Sequence, residues 1–152
     1  MIEQLRQFLE IDDDARRLAL KLWQVLAPSI DAVLDDFYRK VRTSGIEPQL
    51  SDAVVARLKV KQKVHWASLF HSEFDEKYMS GVQRIGIRHR DVGLLLTHYA
   101  AAYMALKIEF VNVIVRTDLP VLAKGHLIKT LDKYVALDMA LALSTYDAAI
   151  VD

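Results

Sequence analysis

His89, in the stretch "IGIRHRDVGLLLTHY", is the side chain with the most chemistry within reach. Tyr78, Val82, Ile85 and His89 follow one another at steps of four, three and four, which places them on one face of a helix. An imidazole on such an apolar face needs a partner for at least one nitrogen, since an unsatisfied buried polar group costs roughly 1 to 3 kcal/mol. Two kinds of partner meet that need: a hydrogen bond to backbone or side chain, or a metal ion held by the neutral ring. Tyr38 raises a similar question. It follows Phe37 and Leu34 on the stripe Ile30, Val33, Leu34, Phe37 and Val41, so its phenol is expected to face inward. Leu58, Gln62, His65 and Leu69 repeat the four, three and four spacing and predict a wall carrying one or two hydrogen-bond donors. A buried tyrosine contributes apolar area while its hydroxyl finds an acceptor. Spacing alone therefore leaves Tyr38 either an ordinary core residue or a donor to something bound.

Other chemistries have little to build on. The chain has no cysteine, which removes disulfides, thiolate metal sites and a nucleophilic thiol. No HExxH pattern or other His/carboxylate cluster supports zinc, no Ser, His and acid grouping supports nucleophilic catalysis, and no GxGxxG fingerprint supports a dinucleotide. Twenty basic residues balance twenty acidic ones, so no overall field favours nucleic acid or an anionic membrane. The opening "MIEQLRQFLEIDDD" lacks the basic start and apolar run of a signal peptide, and no apolar run approaches 18 residues. A cytoplasmic location is the default expectation.

The elements that must position these residues are helical nearly throughout. At 152 residues the chain suits one domain, able to bury roughly 68 to 70% of its unfolded surface. Acidic caps at Asp12 to Asp14 open a helix that carries Leu18, Leu22, Val25 and Leu26 and ends before Pro28. A second runs from about Ser29 to Val41. The connector "RTSGIEPQLSD" leads to a cap at Ser51 or Asp52 and a long helix to about Phe70. The His89 helix follows and Gly93 ends it. Leu95, Tyr99, Tyr103, Leu106, Phe110 and Val113 mark another long helix, closed by "RTDLP", and a final helix runs nearly to the end. No strand alternation or internal repeat interrupts this order, so the expected class is all-α.

Taken together, "LKVKQKVHWASLF", "FDEKY", "IGIRH", "VGL" and Tyr99 resemble the haem-binding globin domain of the globin-coupled sensors, over almost the whole chain. The resemblance implies a globin fold around a haem pocket, with a short or absent D helix and an extra N-terminal helical segment. It implies non-covalent haem b with its iron on His89 as proximal ligand, and Tyr38 in "DDFYRKV" as distal donor to dioxygen or another diatomic gas. Leu58 and Gln62 match the distal helix, and Phe37, His65, Ile85, Tyr99 and Tyr103 complete the candidate cofactor contacts. Tyr99, ten residues after His89, is the candidate partner for the second imidazole nitrogen. Bound dioxygen carries partial negative charge, which is why a donor is needed opposite the iron ligand.

The chain departs from that pattern at Leu96 and His98, where many members have proline and tryptophan, and at Ser72, where glycine is common. These changes spare the ligand and bear on how the next helix begins. Lys61 reads as a solvated ammonium at the pocket edge, and His71 and His126 as surface residues. The last two helices carry Leu127, Ile128, Leu131, Tyr134, Val135, Leu141 and Leu143 over more than one face, which predicts a homodimer through them. The family couples such a domain to an output domain, and residues 1–152 hold the sensor-globin part alone. A non-enzymatic gas sensor is thus the leading expectation. A haem-free regulatory module, or a globin enzyme acting on nitric oxide or peroxide with a separate reductase, are the alternatives.

Overall fold

A computed structural model describes residues 1–47 and 49–151. Seven α-helices follow in order: α1 (Ile2–Phe8), α2 (Asp13–Leu26), α3 (Ile30–Thr43), α4 (Asp52–Phe70), α5 (Glu76–Asp91), α6 (Leu96–Val115) and α7 (Val121–Val151). Among the described residues there is no strand. Boundaries fall where side-chain chemistry places them. Asp12 caps α2 by accepting from the Ala15 N–H at 2.8 Å, Ser51 caps α4 from Val54 at 3.2 Å, and Asp75 caps α5 from Tyr78 at 3.0 Å. Pro28 lies in a short 3-10 turn, Ala27–Ser29, that bends α2 into α3. Gly45 and Gly93 adopt φ of 85° and 84°, the left-handed conformation that a side chain resists. The described part of the α3–α4 connector contains no helix, as expected for a chain without a D helix.

The last helix is the hub. α7 packs against α5 and α6, against α2, and against α1 and α4. Leu127, Leu131, Tyr134, Val135 and Leu141 are buried within the chain itself, and Ile128 and Leu143 are half-buried. α7 is apolar on several faces in part because several helices of its own chain surround it.

The approach of α5 to α7 is closest at Gly86. A Cβ there would lie 2.8 Å from Thr145 Oγ1, 3.1 Å from the carbonyl carbon of Ala142, and closer still to the Ala142 oxygen. Two hydrogen bonds flank this crossing. Arg90 donates to the Thr145 carbonyl at 2.9 Å, and the Tyr146 hydroxyl donates to the Leu94 carbonyl at 2.7 Å. The half of α5 that bears His89 is thereby held directly on α7.

By contrast, α4 packs on α2, α3 and α7 and shares no extended interface with α5. Leu58 and Gln62 on α4, and Ile85 and His89 on α5, are all only half-buried. These two helices are held apart by their common neighbours, with their candidate site residues incompletely covered.

Candidate functional site

On α5, the His89 Nδ1 lies 2.8 Å from the carbonyl oxygen of Ile85, one turn back on the same helix. A carbonyl can only accept, so Nδ1 carries the proton and Nε2 presents its lone pair. Burial pushes the imidazole pKa below its ordinary value, against a smaller opposing pull from the Ile85 carbonyl. The ring is thus neutral, oriented, and basic at Nε2, which makes no hydrogen bond among the described residues. Tyr99 was the expected partner of the second nitrogen. It instead stacks on the imidazole, with ring centroids 4.5 Å apart at 20°, because the i−4 carbonyl already satisfies Nδ1. The Tyr99 hydroxyl is buried and makes no hydrogen bond of good geometry, although Tyr103 is near enough to influence it.

The opposite wall is built by α3 and α4. Ion pairs Lys59–Asp35 and Lys63–Asp31, the latter at 3.1 Å, register the two helices side by side. Tyr38 and Phe37 are both buried, edge-to-face at 5.1 Å. The Trp66 indole donates to Gln62 Oε1 at 2.7 Å, and the Gln62 amide nitrogen donates to the Tyr38 oxygen at 3.2 Å. Tyr38 therefore accepts from Gln62, and its own proton has no acceptor among the described residues. That proton is therefore free for an acceptor brought beside the phenol. Burial raises the Tyr38 pKa, with the Gln62 bond opposing, so the phenol keeps its proton.

The remaining candidates converge elsewhere. Asp138 on α7 is fully buried, and its carboxyl accepts from Tyr78 at 2.6 Å, from Tyr103 at 2.8 Å and pairs with His65 Nε2 at 2.8 Å. One acidic group so joins α4, α5 and α6 to α7. Burial lowers the His65 pKa, but the Asp138 charge and hydrogen bond outweigh it and leave it raised. His65 and Tyr103, both predicted to contact a cofactor, commit Nε2 and the hydroxyl to Asp138, which leaves ring surface and the His65 Nδ1 to meet one. Asp138 itself escaped the sequence reading. A lone acid inside "YVALDMALAL" was the available signal, since an apolar helix carries a buried charge only where donors meet it.

The other histidines are peripheral. His71 is exposed and bonded to the Ala67 carbonyl, His126 is exposed, and His98 is half-buried in the first turn of α6. Lys61 is exposed, as expected. A cavity of about 580 Å³ lies between α3 and α6, lined by Val33, Asp36, Glu109 and Arg116 among others, and shares no residue with either wall described above. It lacks a buried polar group aimed into it, so the candidate site stays with His89 and Tyr38.

These features can be set beside known proteins. A family model for protoglobin matches residues 1–150. The chain belongs to the protoglobin family. The globin domain of a Geobacter sulfurreducens globin-coupled sensor superposes with a TM-score of 0.82 at 18% identity, covering 95% of this chain and 96% of that one. The ferrous globin domain of E. coli DosC gives 0.81 at 17% identity over 95% and 98% of the two chains. A search of curated proteins found no match. The all-α globin fold is that of globin domains of globin-coupled sensors.

Protoglobin membership implies haem, and the residues fit it. Among the described residues no group of three or more His, Cys, Asp or Glu could hold a metal ion. The Nε2 lone pair of His89 suits an iron ligand, and the Tyr38 hydroxyl, free to donate, suits a small polar ligand.

Proposed function

We propose that this chain is one sensor-globin domain that holds haem b on His89, takes up dioxygen reversibly, and passes the change through its C-terminal helices to an output domain. The observation that carries this reading is that Tyr38 accepts from Gln62 and has no acceptor for its own proton among the described residues, paired with the free lone pair of His89. Haem b, when bound, would be held by His89 and would supply an iron able to bind a diatomic gas.

The protein's own contributions follow from its geometry. Ile85 fixes the imidazole tautomer and so sets Nε2 as the ligating atom. Tyr38 would donate a hydrogen bond to a gas that carries partial negative charge when bound, as dioxygen does and a less polar gas does not. Phe37 and Leu58 supply apolar surface that keeps water from competing for that proton. A displacement of His89 would move α5, and the Gly86 and Arg90 contacts, with Tyr146 on Leu94 just beyond the helix, would carry it to α7. The reading takes the domain to act in the cytoplasm as a non-enzymatic homodimer. The large apolar side chains that α6 and its corner with α7 leave exposed for such an interface are Ile108, Val115, Leu119, Val121 and Leu122.

Absorption spectra of the haem-reconstituted chain in ferric, ferrous and oxygenated forms test the proposal, alongside His89→Ala and Tyr38→Phe. A stable oxygenated spectrum that His89→Ala loses, with faster oxygen release in Tyr38→Phe, is expected. Failure to bind haem, or equal binding by His89→Ala, removes His89 from its role and favours a haem-free regulatory module. Sustained turnover of nitric oxide or peroxide with added reductant would favour an enzyme.

A further inference from the structure

We infer that Trp66 and Gln62 are positioning residues that hold the Tyr38 phenol as a one-way donor toward the gas, and thereby set the preference of the pocket for dioxygen over carbon monoxide. This rests on the haem reading above and adds a cause for it. A glutamine amide can usually be turned either way at little cost, which would let Tyr38 either donate to Gln62 or accept from it. Here the indole decides. Trp66 Nε1 is a donor with no acceptor capacity, so Gln62 must present Oε1 to it, at 2.7 Å. The amide NH₂ is then the group left facing Tyr38, at 3.2 Å. Tyr38 is made an acceptor on that side, and its O–H must point elsewhere.

The indole is itself immobilised. Trp66 is 2% exposed, and its ring is packed by Phe110 at 5.3 Å, Phe70 at 6.2 Å and Tyr103 at 6.3 Å between centroids. Gln62 lies one turn before Trp66 on α4, so backbone geometry keeps donor and acceptor in register. Orientation is thus set in the rigid core and delivered to Tyr38 through a single amide. Dioxygen, which develops negative charge on its atoms, gains from a donor aimed in advance, and carbon monoxide gains far less.

Three substitutions separate the relay from the mere presence of Tyr38. Gln62→Glu, studied near pH 8.5, above the ordinary carboxyl range, keeps an acceptor for Trp66 but offers Tyr38 an acceptor too, drawing its proton away from the gas. Trp66→Phe releases the amide to turn. Gln62→Leu removes the acceptor of the indole. Rates of oxygen and carbon monoxide release are measured on the haem-loaded proteins. The indole N–H resonances of the two tryptophans are recorded with and without haem.

We expect Gln62→Glu to speed oxygen release about tenfold, as Tyr38→Phe does, and Trp66→Phe to speed it roughly threefold, the scale of one hydrogen bond lost or half-occupied. Carbon monoxide release should stay within about twofold, since little charge develops on that ligand. The Trp66 indole resonance should lie downfield in the unaltered chain and in Gln62→Glu, and shift upfield in Gln62→Leu. If Trp66→Phe fails to fold, Gln62→Glu carries the test, because its indole resonance reports an intact core. Unchanged oxygen release in Gln62→Glu, with Tyr38→Phe still fast, overturns the relay and leaves the sensor reading standing. A haem-free chain, or a Tyr38→Phe protein that releases oxygen normally, overturns both.

Discussion

Two glycines of the same helix should respond to the same substitution with opposite sign. Gly86 and Gly81 both lie inside α5, where alanine is favoured over glycine by about 0.5 to 1 kcal/mol through helix propensity alone. At Gly81 a Cβ would meet nothing within 4 Å, so Gly81→Ala should collect that gain. At Gly86 the same methyl would press on the backbone of Ala142, which cannot rotate aside as a long side chain would. Overpacking of this kind costs about 1 to 3 kcal/mol. Offset by the propensity term, the net loss for Gly86→Ala is about 0.5 to 2 kcal/mol, or roughly 1 to 8 °C in Tm for a domain of this size. Gly81→Ala should raise Tm by about 1 to 4 °C. The strain does not stay at the crossing. Relief requires α5 to move off α7, stretching the Arg90–Thr145 and Tyr146–Leu94 bonds, and His89 lies on the same side three residues on. Gly86→Ala should therefore also release haem faster, measured by transfer to a haem-scavenging globin in excess, while Gly81→Ala leaves that rate unchanged. Equal Tm gains for both variants would refute the close approach of α5 to α7, and with it the transmission route assigned to that seam.

Asp138→Asn replaces an acceptor-only group with one that donates on one side, so at least one of Tyr78, Tyr103 and His65 loses its bond; urea unfolding should show about 1 to 3 kcal/mol less stability. The raised pKa of His65 gives a defined pH dependence. The folded state holds this proton more tightly than the unfolded state, so the contribution is complete below the unfolded value near 6.5 and is lost as pH rises through the folded value. Unfolding free energies at a series of pH values above about 6.5 should fall with pH in the natural chain and fall less in His65→Gln.

How much of this was legible in the sequence depends on the range of the interaction concerned. Asp12, Ser51 and Asp75 act on backbone groups three residues away, so local spacing suffices for the helix starts, and the first two were anticipated. The inward-facing stripes of Tyr38 and of Leu58, Gln62, His65 and Leu69 also follow from periodicity, and the family resemblance ordered them around one pocket. What periodicity cannot supply is the partner of each polar atom. His89 Nδ1 chose a carbonyl four residues back over a tyrosine ten residues on, and both lie within reach of the same ring. Asp138 is 73 residues from His65 and 60 from Tyr78, so its network exists only once four helices have converged. The Trp66–Gln62 bond is at helical spacing and could be drawn on a helical wheel, but its importance appears only when Tyr38 arrives from another helix. The apolar faces of α7 are ambiguous for a related reason. Periodicity reports that a face is buried without saying by which chain.

The central position of α7 also bears on how the molecule can be made. Helices α1, α2, α4, α5 and α6 all find part of their apolar cover on residues that leave the ribosome after them, and Lys133 closes onto the carbonyl of Glu10 across almost the length of the chain. At roughly 5 to 20 residues per second, the earlier helices spend several seconds outside the exit tunnel with that surface uncovered. Asp138 arrives near the end of this interval, and only then do the phenols of Tyr78 and Tyr103 acquire their acceptor. The part of the core that closes on α7 thus forms late, although α2, α3, α4 and α6 already pack on one another, and a nascent chain shorter than about residue 146 lacks the contacts that seat the His89 helix. Stalled or truncated products should be recognised by chaperones and proteases as unfolded, which gives the cell a simple check that the last helix has been reached.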